Sequence, residues 1–339
     1  MTEKRKDFSI PEAPAENFSR GLLRVNIPEL GLRIEGKVRD ICVAPPNLRI
    51  MVTTDRVSAF DCRICTIPGK GQVLNRLSAF WFEKTKDIIP NHMIAIPHPN
   101  VLIAKQAKVI LPIEVTLRRF MARSSTSTSV YHNYEQGRRK IYGIDFPDGL
   151  KANQEFPMGT ILTPTTKADT VHDQELTDEQ ARQMVDTTFG ERMWQRTKEV
   201  ALKLFEYGQQ HCESKNLILV DTKYEFGIDM NGGLMLIDEL HTPDSSRFWL
   251  EKTYEQKFKA GEDPESFDKE ILRRWLAEKK FTGEGKIPVM DKEIIDQMVA
   301  AYKTLYKMIT GQDLPEQSSE PKEIREIILK AFLELVLQK

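Results

Sequence analysis

LILVDTKYEFGIDMNGGLMLIDE, residues 217–239, reads as a strand, a tight turn and a second strand. Its opening LILVD run is short and almost wholly apolar, as expected of a strand buried on both faces. An Asn231-Gly232 pair between apolar runs predicts a two-residue hairpin loop. That loop sets Glu225 directly opposite Asp238. Like charges so opposed are destabilising, with Cβ atoms ~4.5–5.5 Å apart. Two carboxylates at that separation could hold one divalent cation. Mg2+ takes hard oxygen ligands, commonly one or two carboxylates, and completes its shell with water and phosphate. Period-two alternation puts Asp221 and Lys223 on the same face as Glu225. Such a face could position a metal nucleotide beside an anionic substrate. The plainer reading is a solvated hairpin face on which Lys223 relieves the repulsion, and a different turn register would remove the opposition.

On the N-terminal side, RDICVAPPNLRIMVTTD is two strand-like runs around a Pro45-Pro46-Asn47 turn. VLNRLSAFWFEKTKDII (73–89) has helical spacing, and VLIAKQAKVILPIEVTLRRFM returns to strand-like alternation. Thr177, with Gln180 three residues on, forms a capping-box signature ahead of a helix that continues through ERMWQRTKEVALKLFEYGQQHCESKN. Beyond residue 250 the chain is charge-rich and helical. Its last segment carries Ile324, Ile327, Ile328, Phe332, Leu335 and Val336 on one stripe, which either packs on the body or contacts a second copy in a homodimer. The expected fold class is α+β. The expected divisions are a β-rich N-terminal lobe over 1–111, a mixed α/β lobe over 112–250 and a helical C-terminal extension over 251–339.

The chain has 339 residues, 40% apolar and 29% charged, enough to bury the core of a soluble protein with two or three domains. A net charge of −1 argues against a general nucleic-acid or membrane-surface binder and leaves room for a local basic pocket. The four cysteines, Cys42, Cys62, Cys65 and Cys212, do not make a disulfide scaffold. Cys62-Arg-Ile-Cys65 lacks the second pair of a zinc site and reads as two small core residues. The first 20 residues have no apolar signal core and no segment is long and apolar enough to span a bilayer, so the expected location is the cytoplasm.

Further motifs carry charge suited to anions. Gly36-Lys37-Val38-Arg39-Asp40 enters a strand with two cations beside a glycine turn, although it is not a P-loop. Read alone it is a surface Lys/Arg pair. Arg118-Arg119-Phe-Met-Ala-Arg123, followed by six Ser/Thr residues from Ser124, combines guanidinium forks with hydroxyl donors; the hydroxyl run equally suits a linker. Asp244-Ser245-Ser246-Arg247 follows the hairpin. Lys167-Ala-Asp169-Thr-Val-His172-Asp173 is a polar loop in which His172 is a base or a local hydrogen-bonding residue.

Taken in order, GKVRD, TDRVSAFD (54–61), LPIE followed by Arg118 and Ser124, TKADTVHD (166–173), VDTKYEFG (220–227) and IDELHTPDSSRFW (237–249) resemble the SAICAR synthetase family. The likeness covers about residues 30–250. It implies a two-lobed fold akin to ATP-grasp enzymes and protein kinases, with ATP between the lobes. It implies an ATP-dependent ligase of purine biosynthesis that joins L-aspartate to the carboxylate of carboxyaminoimidazole ribonucleotide. By residue, it implies Lys37 and Arg39 against ATP, Glu225 and Asp238 on Mg2+, and Arg118, Ser124, Asp221 and Arg247 on the imidazole nucleotide. Lys167, Asp173 and Lys223 are implied at the chemistry. Asp55 and Ser58 belong to a family motif without an assigned contact. Arg123 stands where the family commonly has glycine, which makes Ser125 a rival to Ser124. The motifs are rich in Lys, Arg and acids and lack an obvious Cys or Ser nucleophile, as phosphoryl transfer requires. The competing readings are a kinase-like phosphotransferase, although H-R-D-x-x-x-x-N and D-F-G are absent, and a non-catalytic nucleotide binder.

Overall fold

The computed structural model describes residues 13–60, 62–124, 126, 128–167, 173–315 and 317–337. In chain order the first half carries β1 (Arg33–Glu35), β2 (Arg39–Ala44), β3 (Leu48–Thr53), β4 (Arg56–Ala59), β5 (Cys62–Thr66), α1 (Lys70–Lys84), β6 (Met93–His98) and β7 (Val101–Lys105). There follow β8 (Val109–Ile110), β9 (Ile113–Arg118), α2 (Val130–Glu135), β10 (Lys140–Ile141), β11 (Ile144–Asp145), β12 (Ile161–Leu162), β13 (Thr165–Thr166), α3 (Asp178–Phe189) and α4 (Met193–Glu213). The chain continues through β14 (Leu217–Ile228), β15 (Leu234–Ile237), β16 (Ser246–Leu250), α5 (Glu251–Ala260), α6 (Glu270–Glu278), α7 (Lys292–Thr310) and α8 (Pro321–Leu337).

Two sheets organise these elements. The first is antiparallel, in the order β1-β2-β3-β7-β6. The second has seven strands built on β14, whose neighbours are β8, β9, β15 and β16. β14 is long because its apolar residues fill both faces: Leu217, Leu219, Tyr224 and Phe226 join the main core, and Val220 packs with Phe120 and Trp249. α4 lies on this sheet through Ala201, Leu204 and Phe205. At Gly208 a Cβ would collide with the His241 ring, so glycine permits the close approach. Gly190 and Arg192, both left-handed, break the expected continuous helix into α3 and α4. The Thr177–Gln180 capping box forms as the spacing predicts.

α8 closes the outer face of the first sheet. Ile324 and Ile328 are fully buried among Leu22, Val25, Ile27, Ile50 and Ile103. Its apolar stripe thus packs on its own chain, with Val336 left exposed. All four cysteines are buried and none is in a disulfide, in keeping with the core reading of Cys62 and Cys65.

The decisive hairpin differs from expectation by one residue. Ile228 pairs with Leu234, and Glu225 with Ile237. Asp229 Oδ1 accepts the backbone N–H groups of Asn231 and Gly233, each at 2.8 Å. This side chain captures amides that a two-residue turn would use differently, and the loop lengthens to Met230-Asn231-Gly232. Direct opposition of Glu225 and Asp238 is therefore wrong. Asp238 lies one residue beyond β15, where a left-handed φ of 66° kinks the chain.

Candidate active site

The site grows from the register of β14. Asp221 pairs with Arg118 on β9 and with Arg247 on β16. Directly paired residues share a sheet face, so an arginine flanks the carboxylate on each side. Arg118 Nη1 donates to Asp221 Oδ2 at 3.2 Å and Arg247 Nη1 donates to the same oxygen at 2.9 Å. One acid orients two guanidinium groups, whose remaining N–H donors are suited to a further anion. Arg118 Nε also donates to Thr163 Oγ1 at 3.0 Å, which fixes its plane.

Two residues along the same face, Lys223 Nζ donates to Glu114 Oε1 at 2.6 Å and lies 3.5 Å from Glu225 Oε1. Burial alone would lower the lysine pKa, but Glu225, Glu114 and Asp238 hold it far above the ordinary range. Lys223 is thus a fixed charge and not a proton acceptor at neutral pH. Glu225 also accepts from Lys167. Its carboxyl is pushed up by burial and by the Asp238 charge, against the pull of Lys223 and Lys167. Burial pushes Asp238 up as well, but Arg39, Lys223 and Lys167 bring it below the usual carboxylate range. The two acids therefore share one electrostatic site without being cross-strand partners. Arg39 reaches across from β2 and donates to Asp238 Oδ1 at 2.9 Å and to Glu239 Oε2 at 2.5 Å. Lys37 sits in the β1–β2 turn, where Gly36 N–H donates to Arg39 O at 2.8 Å and a Cβ on Gly36 would lie only 2.9 Å from that oxygen.

Two adjoining cavities follow this face. One, of about 200 Å3, is lined by Arg118, Asp173, Asp221, Lys223 and Arg247. The other, of about 450 Å3, lies under the β1–β2 turn and is lined by Lys37, Arg39, Ser58 and Asp238. Lys223, Asp244, Lys269 and Arg273 line both. Three of these four were not singled out from sequence as site residues. Asp244 Oδ2 accepts from Lys70 Nζ at 2.7 Å and lies 3.1 Å from Lys269 Nζ. Burial pushes the Asp244 carboxyl up, but Lys269 and Lys70 bring it to about 2. Burial also lowers the Lys269 ammonium, against the Asp244 charge that supports it. Lys269 and Arg273 stand four residues apart at the start of α6, a helical spacing that aims two cations at one place; this was the available signal.

The remaining expected residues divide. Ser124 is buried, its Oγ lies 3.1 Å from Thr126 Oγ1, and it does not line either cavity; Thr126 and Thr128 do. Arg123 turns outward to Asp263 at 2.9 Å, so its charge serves the surface. Asp55 is structural: its carboxylate accepts the backbone N–H groups of Leu22 and Gly71 at 2.7 and 2.8 Å. His172 and Ser125 lie outside the described residues.

Among the described residues no group of three or more His, Cys, Asp or Glu converges as a metal cage. Glu225 and Asp238 supply hard oxygens only, and mutual repulsion contributes to the raised Glu225 carboxyl. That donor set fits a cation that draws most of its shell from water and phosphate, as Mg2+ does, and not a closed zinc site.

The sequence model described as SAICAR synthetase matches residues 32–289. The chain belongs to the SAICAR synthetase family. A phosphoribosylaminoimidazole-succinocarboxamide synthase of Legionella pneumophila is 43% identical over 309 residues, covering 91% of this chain and 96% of that protein. The SAICAR-synthase of Saccharomyces cerevisiae, solved in complex with SAICAR, is 32% identical with a TM-score of 0.73, over 86% of this chain and 99% of that one. A SAICAR synthetase solved with ADP is 26% identical with a TM-score of 0.63, over 84% and 100%. The two-lobed α+β fold is that of the SAICAR synthetase family, and the activity is that of a ligase in purine biosynthesis. Among the described residues no helix is long and apolar enough to cross a membrane.

Proposed function

We propose that the chain joins L-aspartate to the carboxylate of carboxyaminoimidazole ribonucleotide, with ATP converted to ADP and phosphate. One observation carries this reading. A cavity built around an Arg–Asp–Arg row adjoins a cavity under a Gly-Lys-x-Arg turn, and Lys223 lines both. Such an arrangement suits a phosphoryl donor on one side and a carboxylate acceptor on the other.

Lys37 and Arg39 neutralise the ATP phosphates. Arg118 and Arg247, held by Asp221, bind the anionic groups of the imidazole nucleotide. A carboxylate oxygen attacks the γ-phosphorus, the bond to the β-phosphate oxygen breaks, and an acyl phosphate and ADP result. The aspartate amine then attacks the acyl carbon, the C–O bond to phosphate breaks, and the amine gives up a proton. Lys167 and Lys223, both cationic, stabilise charge on the phosphoryl group as it moves. We assign Asp173, a carboxylate lining the acceptor cavity, to the amine proton. Glu225 and Asp238 would hold Mg2+, which when bound neutralises phosphate charge and replaces Lys167 and Arg39 as counter-charge to the acids.

Phosphate release tests the reading. It is expected to require ATP, Mg2+, carboxyaminoimidazole ribonucleotide and aspartate together. Turnover at an unchanged rate without the imidazole nucleotide would refute it.

A further inference from the structure

A third cavity, of about 520 Å3, lies between α1, the β6–β7 turn and the C-terminal end of α7, away from the site above. Its size falls in the range of small-molecule pockets. Phe80, Ile96, Pro97, Pro99 and Tyr306 give it apolar walls. α1 adds two cations, Arg76 and Lys84. Lys84 lies over the Phe80 ring, 5.7 Å from its centroid. Glu83 also lines it, so among the described residues its charged side chains are two cations and one acid. Arg76 is half-buried and lines the cavity, and among the described residues it forms no ion pair. The wall opposite α1 is anchored: Gln72 Nε2 donates to Gln317 O at 2.9 Å, and the His98 ring bonds Ser318 O at 3.0 Å.

A guanidinium on an apolar-walled cavity without an acidic partner has N–H donors suited to an anion. Aromatic and proline walls select a flat apolar body to carry that anion. We propose that this cavity is a second ligand site, which takes an aromatic monoanion with its charge on Arg76 and its ring between Phe80 and Pro97. The proposal does not rest on the ligase reading.

Titration calorimetry with 2-naphthoate, in saturating ADP to block the nucleotide cleft, tests it on the full chain. The expected result is one site per chain, weakened about tenfold or more for uncharged 2-naphthamide and by Arg76→Gln. Ala79→Trp, which fills the cavity without changing its charge, is expected to abolish binding. Equal affinity for acid and amide overturns the proposal on the wild-type protein alone. So does full displacement by ADP, unchanged affinity in a folded Arg76→Gln, or no binding up to about 5 mM, weaker than millimolar affinity.

Discussion

Replacing Lys70 by methionine isolates the energetics of the buried ion pair beneath the site. The Lys70 side chain is fully buried and Asp244 is 4% exposed, so solvent barely screens the pair. Asp244 rests at about 2 where a free side chain has 3.8. That difference is worth about 2.5 kcal/mol between protonation states. Lys70 and Lys269 share the work, so the methionine variant forfeits about half of it. It also loses the 3.1 Å hydrogen bond from Nζ to Arg56 O, worth about 1 kcal/mol. The full loss for an orphaned buried charge is about 3–5 kcal/mol, but Lys269 remains 3.1 Å from the carboxylate. Lys70→Met is therefore expected to destabilise by about 2–3 kcal/mol, and Asp244→Asn by a similar amount. The double variant should recover about 1–2 kcal/mol of the summed loss, because each single change strands the other group. Urea unfolding of the four proteins at pH 7 measures this coupling. A coupling below about 0.5 kcal/mol would mean that the pair is near contact without energetic dependence, and the argument would fail.

Other outcomes follow from the same geometry. Glu225→Gln and Asp238→Asn should each reduce phosphate release most at limiting Mg2+, and wild-type rates there would remove the acids from metal binding. Arg247→Ala should raise the KM for the imidazole nucleotide about tenfold or more while leaving the KM for ATP near its original value, consistent with loss of a charge-assisted contact. Burial raises Asp268 to about 6 from 3.8. Its folded form thus holds the proton more tightly than the unfolded form, so its stabilisation is full below pH 3.8 and lost as pH rises through about 6. The difference is about 3 kcal/mol, and it should vanish in Asp268→Asn; parallel stability–pH curves for the two proteins would contradict this. Ile328→Ala should destabilise the α8 contact by about 2–5 kcal/mol, read as a lower urea midpoint.

Much of this was legible in sequence because it rests on short-range rules. Period-two alternation put Asp221, Lys223 and Glu225 together, and Thr177 with Gln180 marked a helix start. What escaped was set by competition between local groups. Asn231-Gly232 signals a tight turn, yet Asp229 offers its own carboxylate to the same amides and shifts the register. The left-handed Asp238 then follows the strand end, a conformation that no pattern in its neighbours announces. Lys70 carried no signal of its own, since a buried lysine is recognisable only once its acid is known, and Asp244 lies 174 residues from Lys70. The likeness to a family ordered the motifs but gave no reason for the Arg–Asp–Arg row, which follows from β14 lying between β9 and β16.

The position of α8 bears on how the polypeptide is made. Arg325 pairs with Glu29 across 296 residues, and Ile324 and Ile328 complete a cluster begun at Leu22. At ribosomal speeds of about 5–20 residues per second, the sheet, whose last strand ends at Lys105, waits roughly 10–45 s for its cover. Through that interval a nascent chain presents a bare aliphatic face, and it is there that a chaperone would be expected to hold it.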